Sequence, residues 1–247
     1  MNVCMYSGGK DSTATVILAH EHNEPLDAVL FCEVMFDENT SGELPEHIDF
    51  IDNVAFPKFR EWGYDCIKVR AKKTYMDCFN HIITRSKHEN RNGLYQGFPL
   101  AGMCKINAHC KILPLQKWER ENHVDIQYVG IAPEETPRIK RAHEKGQISL
   151  MEKYGVSEAE AFKLCEQYGL LSPSYSFSKR GGCWFCPNAK AGELRHLRDN
   201  HPELWNELLL LEERENLCGY IHNMLTKKSI HDWDEEFRLE ENQIKLF

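Results

Sequence analysis

The sequence predicts an α/β fold, a doubly wound parallel sheet carrying a small C-terminal helical extension. Three observations predict it. Short apolar runs alternate with segments of helical character, the first run leads straight into a glycine turn and a helix, and residues 199–247 are acidic and helix-patterned. At 247 residues, with 42% hydrophobic and 28% charged, the chain can bury a full core, and no run is long enough to span a bilayer.

In chain order, Val3 to Tyr6 reads as a buried strand and Asp11 to His20 as the helix after it, with Val16, Ile17 and Ala19 available to face the sheet. Ala28 to Phe36 gives a second strand, "DCIKVRA" (65–71) a third and "VDIQYVGI" (124–131) a fourth. Ile48 to Trp62, Tyr75 to Lys87 and His109 to Asn122 have helical character. Glycine, proline and serine gather in "GLLSPSYSFSKRGGCWFCPNAKAG" (169–192), which reads as an irregular loop. Beyond it, helical periodicity broken at Pro202 suggests two helices. The expected division is a main domain over 1–190 and an acidic helical extension over 191–247.

The formal charge of −8 is uneven: residues 199–247 hold 12 Asp/Glu against 5 Lys/Arg, so the body is close to neutral. A large nucleic-acid partner needs a footprint of clustered cations, so a small substrate is favoured, with nucleic acid and a homodimer left open. The first residues show neither a positive region nor an apolar segment of the secretory kind, which sets a cytoplasmic expectation. In that reducing setting the ten cysteines point to buried thiols, metal or catalysis rather than disulfides. Cys4, Cys32 and Cys66 lie in apolar strands and read as inert core thiols.

In "YSGGKDS" two glycines free the backbone to turn sharply and aim successive N–H groups at one point, where the following helix presents the positive end of its dipole. Such a point binds phosphate. Ser7, Gly8, Gly9, Lys10, Asp11 and Ser12 are the candidate binding residues, with Thr13 as a further hydroxyl. Asp11 either holds a magnesium ion or caps the helix. The spacing fits neither the Walker loop nor the dinucleotide fingerprint.

"SGGKDS" resembles the pyrophosphate loop (PP-loop) of the ATP pyrophosphatase superfamily, also called the adenine nucleotide alpha hydrolases. That resemblance implies a Rossmann-like sheet and cleavage of ATP between its α and β phosphates, with Mg2+ as the charge-stabilising ion and Lys10 and Asp11 as catalytic groups. "VMFDENTSGELPE" is similar to the family's strand-end aspartate and Pro-Glu, matching at Asp37, Pro45 and Glu46, while Glu38-Asn39 replaces the usual Thr-Gly. A plain turn role for Asp37 stays open.

Cys183 and Cys186 in "GGCWFCPN" are spaced to reach one metal, and Cys104 and Cys110 in "GMCKINAHCKILPL" offer the other half of a site. Four sulfurs suit a 4Fe-4S cluster or a tetrahedral zinc, with His109 able to replace one in the zinc case; free thiols are the third reading. The chain most resembles the phosphoadenosine phosphosulfate (PAPS) reductase branch of the superfamily, through "CKILPL", through "VGIAPEETPRIKR" with Glu135 and Arg138, and through the run into the cysteine pair. It departs from that branch in the five residues between Cys104 and Cys110 and in keeping an intact first loop, which implies that ATP is the nucleotide substrate.

Arg138, beside Thr136 and Pro137 at a helix start, is the best second anion contact and a candidate catalytic group. Lys140, Arg141, Lys179 and Arg180 are weaker anion candidates, and Cys218 in "LCGYIH" is a weak candidate nucleophile in a helix-like run. The expectation is an adenylating iron–sulfur sulfurtransferase that needs a sulfur donor or reductant and takes a small-molecule or nucleoside substrate. A PAPS or adenosine phosphosulfate reductase, and a non-catalytic nucleotide-binding module with structural zinc, are its rivals.

Overall fold

A computed structural model describes residues 1–99, 104–179, 181–224 and 226–244, with residues 243 and 244 as backbone only. The strands are β1 (Asn2–Tyr6), β2 (Ala28–Glu33), β3 (Asp65–Arg70), β4 (Tyr95–Gly97), β5 (Ile126–Val129), β6 (Gln147–Ile148) and β7 (Leu217–Gly219). The helices are α1 (Lys10–Glu21), α2 (Pro45–Phe50), α3 (Phe56–Glu61), α4 (Tyr75–Phe79), α5 (Leu113–Glu121), α6 (Thr136–His143), α7 (Leu150–Tyr154), α8 (Glu158–Gln167), α9 (Ala191–Asn200), α10 (Pro202–Glu212) and α11 (Ile230–Ile244). Among the described residues no helix is long and apolar enough to cross a membrane.

Two compact units share the chain in alternating segments. The first comprises Met1–Glu33, Glu43–Ala71 and Lys111–Gly181; the second comprises Val34–Gly42, Lys72–Cys110 and Gly182–Phe247. The described residues beyond 190 lie in the second unit, with residues 34–42, 72–110 and 182–190.

The first unit is built on a five-stranded sheet in the order β3-β2-β1-β5-β6, parallel at every pairing. All six residues of β2 are buried, as a strand covered on both faces requires. α1 is buried at every position from Ser12 to Ala19, and α7 and α8 pack against it. The chain winds from β1 to β2 and β3 on one side and returns to β5 and β6 on the other, so the order reverses at β1. In an open parallel sheet the crevice at such a reversal, outside the carboxyl ends of the strands, is where ligands bind. Residues 7–9, which join β1 to α1, occupy that position.

The single helix read over 48–62 is a run from Pro45 to Glu61 with π-type turns at Ile51–Ala55. Pro57 stands just past those turns and has no N–H to complete the regular ladder, which accounts for the widened stretch. Pro114 follows a second π segment, Asn107–Ile112, in the same way.

In the second unit β4 and β7 pair in parallel, with Tyr95 opposite Leu217 and Gly97 opposite Gly219. The helix expected over 75–87 ends at Phe79. Its continuation carries Ile82, Ile83 and Thr84, β-branched residues that favour extended backbone; Ile82 bridges Tyr95 and the Ile83 amide donates to Leu94 O at 2.9 Å. The run containing Cys218 is likewise strand β7 rather than helix. α9 and α10 flank Pro202 as the periodicity indicates, and Asp234 of α11 accepts hydrogen bonds from Arg198 of α9 and the Trp205 indole of α10.

Candidate functional site

The turn after β1 is held from beneath by a buried imidazole. Gly8 has φ +74°, and a Cβ there would lie 2.5 Å from His47 Cε1 and 2.8 Å from Ile51 Cδ1, so only glycine fits. His47 is 1% exposed. Its Nε2 donates to the Ser7 carbonyl at 3.0 Å, which assigns Nδ1 as the acceptor of the Ser172 hydroxyl at 2.8 Å. From the opposite side, Tyr175 Oη accepts the Lys10 amide at 2.8 Å. The serine-rich run 172–178 thus braces the glycine turn, and His47, which follows the Pro45-Glu46 pair but was not itself singled out in the sequence, is its keystone.

The loop hydroxyls divide by role. Ser12 donates to Gly9 O and accepts the Ser7 amide, while Thr13 is fully buried with Oγ1 against Tyr6 Oη. Both secure the turn, and Ser7 alone of the three is exposed. α1 begins at Gly9 with no side-chain cap, which leaves the amides of Gly8, Asp11 and Ser12 without a protein acceptor among the described residues. Asp11 sits in the first turn, not at the cap. Gly130, at the end of β5, makes room for this helix start: a Cβ there would meet the Asp11 and Ser12 backbone at 2.5 Å.

Charge at the turn is concentrated and shielded. Lys10 Nζ binds Asp11 Oδ1 at 2.6 Å and Glu158 Oε2 at 3.2 Å. Burial works against the Lys10 ammonium, but these carboxylates outweigh it and hold its pKa above the ordinary lysine value. For Asp11, burial is the larger influence; it raises the carboxyl above the usual range despite Lys10, and Glu158 and Glu135 add to the rise. Glu135 also pairs with Arg138 at 2.5 Å, yet its Oε2 is buried with no hydrogen-bond partner among the described residues. An orphaned carboxylate oxygen in the field of a second carboxylate is the donor set a hard divalent cation takes. Arg138 is about half exposed, while Lys140, Arg141 and Lys179 are exposed. Arg180 lies outside the described residues.

Asp37 belongs to the second unit. Its carboxylate accepts the amides of Asn39 and Thr40 and the Thr40 hydroxyl. Partial burial tends to raise its pKa, but those bonds prevail and lower it. The side chain closes its own turn, and Glu38-Asn39 supply that turn.

All four predicted metal cysteines fall in the second unit, and a fifth joins them. Cys78 Sγ lies 3.9 Å from Cys110 Sγ. Cys104 is raised first by burial, against the amides of Asn107 and Ile106, and then by the charges of Cys186 and Cys78. Cys78 itself falls below the ordinary thiol range, chiefly through the Cys110 contact and against burial, with Lys73 assisting. Among these thiols stands Tyr75, fully buried, whose hydroxyl has no hydrogen-bond partner among the described residues. Its pKa is driven up by burial and then by Cys104, Cys183 and Cys78. The cysteine turn is anchored by Trp184, which donates from its amide to Gly42 O and from its indole to Ser41 O. Phe36, Tyr75, Trp184 and Phe185 pack ring against ring beside the cysteine turn. Cys78 is a lone cysteine on α4 with no partner spacing, so nothing local marks it.

The remaining cysteines are placed otherwise. Cys4 and Cys32 are fully buried, and burial pushes Cys32 and the half-buried Cys66 up to about 11.

No protein-family model matches the chain. It is 25% identical over 250 residues to an uncharacterised protein of Methanocaldococcus jannaschii, covering 92% of this chain and 45% of that protein. The chain thus spans less than half the length of the curated relative it matches. Among solved structures it is similar to a phosphoadenylyl-sulfate (PAPS) reductase from Candida auris in its phosphate complex, with TM-score 0.45 and 11% identity over 74% of this chain and 82% of that one. It is also similar to the U34-tRNA thiolase NcsA from Methanococcus maripaludis with its 4Fe-4S cluster, with TM-score 0.44 and 17% identity over 94% and 80% of the two chains.

Proposed function

We propose that the chain is an ATP-dependent, pyrophosphate-releasing adenylating enzyme of the PAPS reductase-like branch of the ATP pyrophosphatase superfamily, and that it delivers sulfur to a small molecule or nucleoside. The observation that carries the reading is the glycine turn at the reversal of the sheet, with uncapped amides at the start of α1 and Gly8 locked over His47. Those amides and the Ser7 hydroxyl bind the leaving diphosphate. Asp11 and Glu135 would hold the magnesium ion, for which the Glu135 oxygen without a partner among the described residues is the fitting donor. Lys10 and Arg138 supply cationic charge at the same end of the sheet. A substrate oxygen attacks the α phosphorus, the bond to the β-phosphate oxygen breaks, and pyrophosphate leaves with the electron pair. Sulfur then bonds to the activated carbon as AMP departs, a redox-neutral exchange when the donor is hydrosulfide.

Cys78, Cys104, Cys110, Cys183 and Cys186 are the soft donors that would hold an iron–sulfur cluster, and the orphaned Tyr75 hydroxyl among them suits a partner rich in sulfur. When bound, such a cluster supplies an iron site for hydrosulfide. The test is anaerobic purification, analysis of iron, labile sulfide and zinc, and an assay for pyrophosphate from ATP across candidate acceptors. About four iron and four sulfide per chain and acceptor-dependent pyrophosphate are expected. Sulfite from a sulfonucleotide with a thiol reductant, and no pyrophosphate, would make the chain a reductase; zinc alone and ATP binding without turnover would make it a binding module.

A further inference from the structure

The second unit contains a cavity of about 710 Å3, within the size range of small-molecule sites. Its rim is cationic. Lys73, Arg91 and Lys105 line it together with His81 and His109, and among the described residues no carboxylate pairs with any of the three permanent cations. The one acid in the lining, Asp77, is engaged as the cap of α4, where it accepts the Thr74 amide at 2.9 Å. Lys105 donates to Gln96 at 3.0 Å, a neutral partner that leaves its charge uncompensated. Three permanent cations against the single carboxylate of Asp77 leave a net positive potential at the cavity, which a bound anion relieves.

The rest of the lining is of a different kind. Phe98 and Ile106, 1% and 5% exposed, and Met224 form an apolar floor. Cys78 also lines the cavity, so the wall is shared with the cysteine group. A site with cations at the rim, an aromatic and aliphatic floor, and a thiol in the wall selects a ligand with a strongly charged head and an apolar body. Arg91 offers the planar fork that suits phosphate oxygens.

We infer that this cavity binds an organic phosphate monoester, its dianion against Lys73, Arg91 and Lys105 and its apolar body on Phe98, Ile106 and Met224. On the sulfur-transfer reading this ligand is the acceptor, presented to the thiol side of the second unit; the anion site itself stands on the cavity alone.

The experiment titrates the full chain, prepared anaerobically, with phenyl phosphate, inorganic phosphate, phenol and, separately, ATP. Phenyl phosphate is expected to bind saturably and more tightly than inorganic phosphate or phenol. Arg91→Gln and Lys105→Gln, both exposed positions, should each weaken phenyl phosphate about tenfold with unchanged thermal unfolding, and should leave ATP binding alone. Lys10→Ala should weaken ATP and spare phenyl phosphate. Absence of saturable phenyl phosphate binding, equal binding of inorganic phosphate, or indifference to both glutamine variants overturns the inference, and retained ATP binding then shows that the adenylation reading survives. If instead ATP fails to bind while phenyl phosphate still depends on Arg91, the anion site stands and the adenylation reading falls.

Discussion

Gly8 holds a left-handed backbone against an imidazole, and that one contact ties the glycine turn to the buried His47 of α2. In Gly8→Ala the added carbon meets His47 at 2.5 Å in a strained conformation, so a loss of about 1–3 kcal/mol in stability and of most ATP affinity is expected. Thermal unfolding and an ATP titration check it; an unperturbed variant would mean that the loop is not clamped from below. Tyr75→Phe should behave in the contrary direction. Among the described residues the buried hydroxyl has no partner, so its removal from metal-free protein should leave the melting temperature unchanged or raise it, while the reduction potential of metal-loaded protein shifts. A drop in metal-free stability would show that the hydroxyl is already bonded. The hexapeptide loop was legible because its residues are contiguous and each has a local physical reason. His47, Cys78 and Tyr75 were not, because each acquires its role only from neighbours distant in sequence.

Elements were legible where one physical demand dominated. The four runs became β1, β2, β3 and β5, with β2 buried throughout and β3 a part-exposed edge strand, and the break at Pro202 was visible because proline cannot continue a ladder. The reading of 75–87 as helix failed where backbone pairing between Ile82 and Tyr95 overrode a pattern that periodicity alone could not resolve, and β4 and β7 are too short to show one. These two strands approach very closely: a Cβ on Gly219 would stand 2.1 Å from Phe98 O, and one on Gly97 2.2 Å from Gly219 O. Gly219→Ala should therefore separate the pair and lower the melting temperature by several degrees, by about 2–4 °C for each kcal/mol lost. An unchanged melting curve would show that the pairing contributes nothing.

For the molecule as a whole, pH is the simplest global probe. His222 is 1% exposed, with Nδ1 unpartnered among the described residues, and burial lowers its pKa to about 4, against about 6.5 in an unfolded chain. Between those values the unfolded chain binds the proton and the folded one does not, so stability falls as pH drops from about 6.5 to about 4, by about 3 kcal/mol in total. Comparing unfolding of the wild type with His222→Gln across that window isolates the contribution; parallel curves would remove it. The alternating segments of the two units were illegible for a related reason, since composition changes little at residues 34, 72, 111 or 182. That threading has a consequence in time. Cys78 leaves the ribosome roughly 5–20 s before Cys186, and during that interval an incomplete set of thiols faces whatever oxidants the nascent polypeptide meets, so no arrangement that needs both cysteines can assemble until Cys186 has emerged.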